Sequence, residues 1–146
     1  MSLFWKSTSL LFVMSLALAL PSCVPFPRYK TLRPEAAITV MDEHDLPVSG
    51  AKVTLISSAY PYGLTRERLR AEQSTGADGR ASFEAYHEWH MESPLMLHGA
   101  LSYFWNWCVE KPGYETYMTD DDNADDFDRQ SVIHLQPGTS RSCEPR

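Results

Sequence analysis

The chain has 146 residues, 43% hydrophobic and 22% charged, with a formal net charge of −6. That composition is globular rather than disordered. Its acidic sign argues against a nucleic-acid partner and against non-specific adhesion to anionic lipid.

The first 22 residues stand apart from the fold. Lys6 is the only charge before an apolar run from Leu10 to Leu20, which ends in Leu20-Pro21-Ser22-Cys23. A short positive region, an apolar stretch and then small residues make the layout of a secretory signal. The run is too short for a comfortable membrane span, which needs about 20 residues. Leu-x-Ser-Cys resembles a bacterial lipobox, in which the cysteine becomes the first mature residue and is acylated; Pro21 is unusual at its position. The resemblance implies a cleaved signal over 1–22, lipidation at Cys23 and, because Val24 rather than Asp follows, placement in the outer membrane. The plainer alternative is ordinary secretion with a free Cys23. One acyl chain holds only marginally, so stable anchoring takes more than one signal or chain. Loss of Lys6 leaves 12 basic against 19 acidic residues, a net −7. About 124 residues remain, enough for one domain with its own core.

Val24 to Pro34 holds three prolines and no period, so residues 23–35 read as an acylated cysteine and an extended tether. The domain is expected over 36–136. Ile38 and Val40 share one face of a first strand; Ala51, Val53 and Leu55 share one face of a second. Asp42 to Asp45 form the loop between them, stiffened by Pro47 and released by Gly50. Tyr60-Pro-Tyr-Gly63 reads as a turn. After it Arg66, Arg68 and Arg70 recur every second residue, either a solvated edge that deters pairing with other chains or a docking patch for an acidic partner. Ala71–Thr75 and Arg80–Tyr86 flank Asp78-Gly79 as a hairpin. His87 to Pro94 is polar, aromatic and irregular, and reads as a crossing loop. Leu101–Val109 is apolar on both faces, which places it inside a sheet. Tyr114–Met118 and Ser131–Leu135 complete about seven strands, with an acidic loop from Asp120 to Asp128 between them and a tail over 137–146. No convincing helix intervenes, so the pattern predicts an all-β sandwich.

Three phrases carry a family resemblance. Asp42-Glu-x-x-x-Pro-Val-x-Gly-Ala-x-Val53, Thr75-x-x-Asp-Gly-x-Ala-x-Phe83 and Cys108-Val-x-Lys-Pro-Gly-Tyr114 resemble carboxypeptidase regulatory-like domains in order and spacing. The resemblance implies a single transthyretin/prealbumin-like Greek-key β-sandwich over residues 36–136. It implies little chemistry, since a fold does not transfer function. The hydroxyisourate hydrolases of that fold end in Tyr-Arg-Gly-Ser, and this chain ends Ser-Arg-Ser-Cys-Glu-Pro-Arg, so their activity has no support.

With Cys23 acylated, Cys108 and Cys143 form an even pair in an oxidising compartment, which predicts a disulfide. The alternative is a buried free Cys108 and a frayed tail. His87, His90 and His98 are weak candidates for zinc or copper; His-Glu-Trp-His places its second histidine one residue too early for a shared helical face. Asp121, Asn123 and Asp125 alternate as calcium ligands would, but Asp126 stands where an EF-hand loop needs Gly, and six like charges repel. Trp89, Trp105 and Trp107, with Tyr103 and Tyr114, are either core or a sugar-stacking platform.

The expected function is a non-catalytic protein-binding or assembly module, lipid-anchored in the outer membrane and facing the periplasm, with an envelope protein as partner and no cofactor. A small-ligand or metal-binding module (zinc, copper or calcium) is the alternative, and an enzyme of unknown type the third.

Overall fold

A computed structural model describes residues 25–60, 66–92 and 101–143. They form nine strands and no helix: β1 (Phe26–Arg33), β2 (Ala36–Met41), β3 (Lys52–Tyr60), β4 (Arg66–Ser74), β5 (Arg80–Phe83), β6 (Tyr86–Glu92), β7 (Ser102–Glu110), β8 (Tyr117–Met118) and β9 (Gln130–His134). A three-stranded sheet, β5-β2-β9, faces a four-stranded sheet, β4-β3-β7-β8. Strand β2 runs antiparallel to β5 but parallel to β9, so the first and last strands of the sandwich lie side by side. The all-β sandwich expected from the strand pattern is the observed architecture.

The core follows from period-two alternation. Ile38 and Val40 from β2, Ala81 and Phe83 from β5 and Ile133 from β9 meet Val53 and Leu55 from β3 and Trp105, Trp107 and Val109 from β7. Phe83 lies 5.6 Å from Trp107 between ring centroids, and Phe127 lies 5.8 and 5.3 Å from Trp105 and Trp107. Each buried indole keeps a partner for its N–H: Trp105 Nε1 donates to the Leu32 carbonyl at 2.8 Å, Trp107 Nε1 to that of Asp128 at 3.1 Å. The aromatic strand is therefore core at Tyr103, Trp105 and Trp107, and a sugar platform built on them is ruled out by burial.

Two of the turn phrases are stitched together. Thr75 Oγ1 donates to the Val48 carbonyl at 2.6 Å and accepts the Ala51 N–H at 2.9 Å. Val40 N–H donates to the Gly79 carbonyl at 2.8 Å. Gly50 and Gly79 take φ of +65° and +71°, the left-handed region that glycine enters without strain. A Cβ at Gly79 would stand 2.5 Å from the Val40 carbonyl oxygen.

Nine strands replace the expected seven because β1 and β6 pair as a separate two-stranded ribbon. The segment expected to be a tether is extended but folded: Phe26 to Arg33 pairs with Tyr86 to Glu92, and Leu32 and Pro34 are buried. The expected crossing loop at 87–94 is likewise strand β6 as far as Glu92. The tail is also fixed as far as Cys143. A Cys108–Cys143 disulfide ties it to β7 across 35 residues, with Cα atoms 6.0 Å apart.

Candidate functional site

Strand alternation sends one set of β3 and β7 side chains into the core and the other set to the outer face of the four-stranded sheet. Thr54, Ile56 and Ser58 stand on that outer face with Phe104, Asn106 and Cys108. The disulfide lays the tail over one end of it. There Arg70 donates to the Cys143 carbonyl and Cys143 N–H donates to Glu110 Oε1 at 2.8 Å. The neighbouring part of the same face is open, a cleft of about 400 Å³. Ile56, Phe104 and Met118 supply its apolar floor, and Asp120, Asp121 and Asp122 its rim.

Asn106 holds the rim in place. Its Nδ2–H donates to the Asp121 carbonyl at 2.9 Å, and its Oδ1 accepts from Asp121 N–H at 2.7 Å and from Thr119 Oγ1 at 2.8 Å. Thr119 Oγ1 in turn accepts the Trp107 N–H at 2.9 Å. The acidic loop is therefore not a free solvated strap at its start but is hung from the middle of β7. Partial burial raises the Asp121 carboxyl above the ordinary aspartate value, with the nearby Asp126, Asp120 and Asp122 charges adding to the shift. Burial also raises the Tyr117 phenol, helped by Asp121 and Asp128. The cleft thus concentrates negative potential over an apolar floor. Sequence reasoning missed Asn106; the available signal was one amide inside the run Tyr-Phe-Trp-Asn-Trp.

No family model, curated protein or solved structure matches the chain.

The other candidate residues are distributed as follows. Arg70 is committed to the fold: Nε and Nη2 make a forked pair with Glu67 at 2.8 and 2.9 Å, and Glu67 raises its pKa further. Arg66 and Arg68 lie on β4, where a register irregularity opposite Ser57 and Ser58 breaks the simple alternation; their side chains lie outside the described residues. Of the three arginines, Arg70 is engaged within the fold, by Glu67 and by the Cys143 carbonyl. His87 and His90 are three apart on a strand and so point to opposite faces. His87 Nδ1 lies 3.0 Å from Thr31 Oγ1, whereas His90 Nε2 is 3.4 Å from Glu88. His98 and Cys23 lie outside the described residues. Asn123 is occupied by its own turn, its Oδ1 accepting the N–H groups of Asp125 and Asp126 at 2.8 and 3.1 Å. Among the described residues no three of His, Cys, Asp and Glu converge as metal ligands. Trp89 and Tyr114, unlike the core aromatics, belong to separate places: Trp89 is exposed on the ribbon, and Tyr114 is half-buried beside Pro137.

Proposed function

We propose that this chain is a lipid-anchored module of the outer membrane, facing the periplasm, that holds another envelope protein without catalysing a reaction. The partner segment that suits the cleft carries a lysine or arginine next to an apolar side chain. The observation that carries this reading is the pairing of an apolar floor at Ile56, Phe104 and Met118 with a carboxylate rim at Asp120–Asp122. Such a rim attracts a cation and sets on-rate and specificity, while the floor supplies contact area. The lipobox-like ending at Cys23 supports the anchor, and the three turn phrases support kinship with carboxypeptidase regulatory-like domains.

The test is site-specific photocrosslinking in intact cells from Met118, at the cleft floor, and from Leu46, on an exposed turn remote in sequence. The expected result is a discrete adduct from Met118 alone, lost when Asp120 and Asp122 are changed together to Asn. Equal adducts from both positions, or an adduct indifferent to the two aspartates, would remove the cleft from the reading.

A further inference from the structure

The β1–β6 ribbon is amphipathic in the unexpected sense. The pairing Pro27 with Met91, Tyr29 with Trp89 and Thr31 with His87 places these six side chains on one face. Tyr29 stacks on His87 and packs against Trp89, each at 5.1 Å between centroids, as that placement requires. The charges occupy the opposite face. There Glu92, 5% exposed in its side chain, meets Lys30 at 2.7 Å and Arg28 at 3.5 Å. Lys30 also donates to the Leu101 carbonyl at 3.3 Å, and His90 lies 6.3 Å from Tyr103, so the charged face is the one turned toward β7. The apolar face is turned away: Trp89 is 69% exposed, Met91 65% and Tyr29 58%. A ribbon stable only in water would place these faces the other way round, and a one-residue slip of β6 against β1 would turn one strand over and mix them. The Lys30–Glu92 pair opposes that slip.

The chain itself indicates what covers this face. Cys23 precedes Phe26 by three residues, which span at most about 10 Å when extended. An acyl anchor at Cys23 would hold the start of the ribbon within reach of the headgroup layer. Trp and Tyr are the side chains enriched at that depth, because their rings are apolar and their N–H and O–H groups stay hydrated. Among the described residues the outward face of the ribbon carries no acidic or basic side chain apart from His87, which suits contact with neutral lipid despite the acidic chain.

We propose that the outward face of the β1–β6 ribbon, through Tyr29, Trp89 and Met91, lies in the headgroup layer of the membrane to which Cys23 is anchored. The inference rests on the acylation proposed above and adds a second attachment, which fixes the orientation of the sandwich on the membrane. Its test uses the mature protein in phosphatidylcholine vesicles containing lipid brominated high in the acyl chain. Trp105 and Trp107 are buried in the core, so Trp89 is the reporter. Quenching is expected in the wild type, its loss in Trp89→Phe, and its marked reduction in Met91→Glu, which keeps the reporter but charges the face. Mass spectrometry of the same protein reads acylation of Cys23 separately. Acylated protein without Trp89-dependent quenching overturns the ribbon inference and leaves the anchor standing. Unacylated protein overturns the anchor; the same protein added to the vesicles then decides the ribbon, quenching supporting it and none overturning it. Sedimentation as a dimer that Met91→Glu dissociates, without quenching, would assign the face to a second copy of the chain and overturn the proposal.

Discussion

The side chain of Asn106 closes a reciprocal pair with the backbone of Asp121, donating to its carbonyl at 2.9 Å and accepting its N–H at 2.7 Å. One amide in the middle of β7 thereby does for the loop what a neighbouring strand would do. Asn106→Ala removes both bonds and the one from Thr119, and is expected to cost about 1–3 kcal/mol. Hydrogen exchange should accelerate at Asp121 while Ile38 and Leu55 in the core stay protected. Asn106→Asp keeps an acceptor, loses the donor and adds a charge beside the rim, so it should be no better than alanine. Unchanged exchange at Asp121 in both variants would show that the loop is held elsewhere.

The Cys108–Cys143 disulfide closes a loop of 35 residues in sequence separation. Constraining a loop of that length in the unfolded chain contributes about 3–4 kcal/mol in the chain-entropy model. Cys143→Ser should lower the urea midpoint accordingly and release the tail, including the Arg70 and Glu110 contacts to residue 143. Thiol labelling of the unfolded, unreduced mature protein should find neither Cys108 nor Cys143 free. Labelling at both sites would exclude the bond.

Gly79 and Gly113 separate backbone strain from crowding. Both have positive φ, +71° and +91°. A Cβ at Gly113 would meet nothing within 4 Å, whereas one at Gly79 would also face Pro47 Cβ at 3.0 Å. Gly113→Ala is expected to cost about 1–2 kcal/mol from the left-handed conformation alone. Gly79→Ala should cost more, because the Val40–Gly79 hydrogen bond must open to make room. Equal losses in chemical denaturation would mean that the turn relaxes freely around residue 79.

The legible parts of this fold were those where local chemistry and tertiary position agree. Gly50 and Gly79 stand at turns that demand positive φ, and β7 is apolar on both faces because the opposing sheet covers one and the tail, bonded through Cys143 to Cys108, covers part of the other. The pair Cys108 and Cys143 followed from counting. The ribbon was illegible for a physical reason: His87, Trp89 and Met91 face out while His90 and Glu92 face in, so its polarity runs against the usual sense and reads as loop. Pro27 strengthened that impression, although a strand with a single partner tolerates proline. The spacing of Arg66, Arg68 and Arg70 reads as one series, and neither the irregularity in β4 nor the fork from Arg70 to Glu67 is written in it. The carboxylates of the acidic loop were visible as composition, but their suspension from Asn106 depends on a partner 15 residues away.

The last expectation concerns acid, where two carboxyls act with opposite sign. Lys30, bonded at 2.7 Å, holds the Glu92 carboxyl below its ordinary value of 4.5, with Arg28 assisting. A lowered pKa contributes stability that is present above 4.5 and is lost as pH falls through the still lower folded value. Asp121 behaves oppositely. Its carboxyl is raised above 3.8, chiefly by burial, so its charge destabilises the fold above its raised folded value, and protonation relieves this as pH falls toward 3.8. Unfolding free energy should therefore resist mild acid and then drop once Asp121 has no more to give and Glu92 begins to protonate. Asp121→Asn should be more stable than wild type at pH 7 and should lose the resistance. Glu92→Gln should be less stable at pH 7 by about 2 kcal/mol, the scale of a hydrogen bond to a charged group, and should show a shallower acid decline. Urea titrations at half-unit pH steps measure all three profiles. If Glu92→Gln declines in acid as steeply as wild type, the Lys30–Glu92 pair is not the acid-sensitive element of the ribbon.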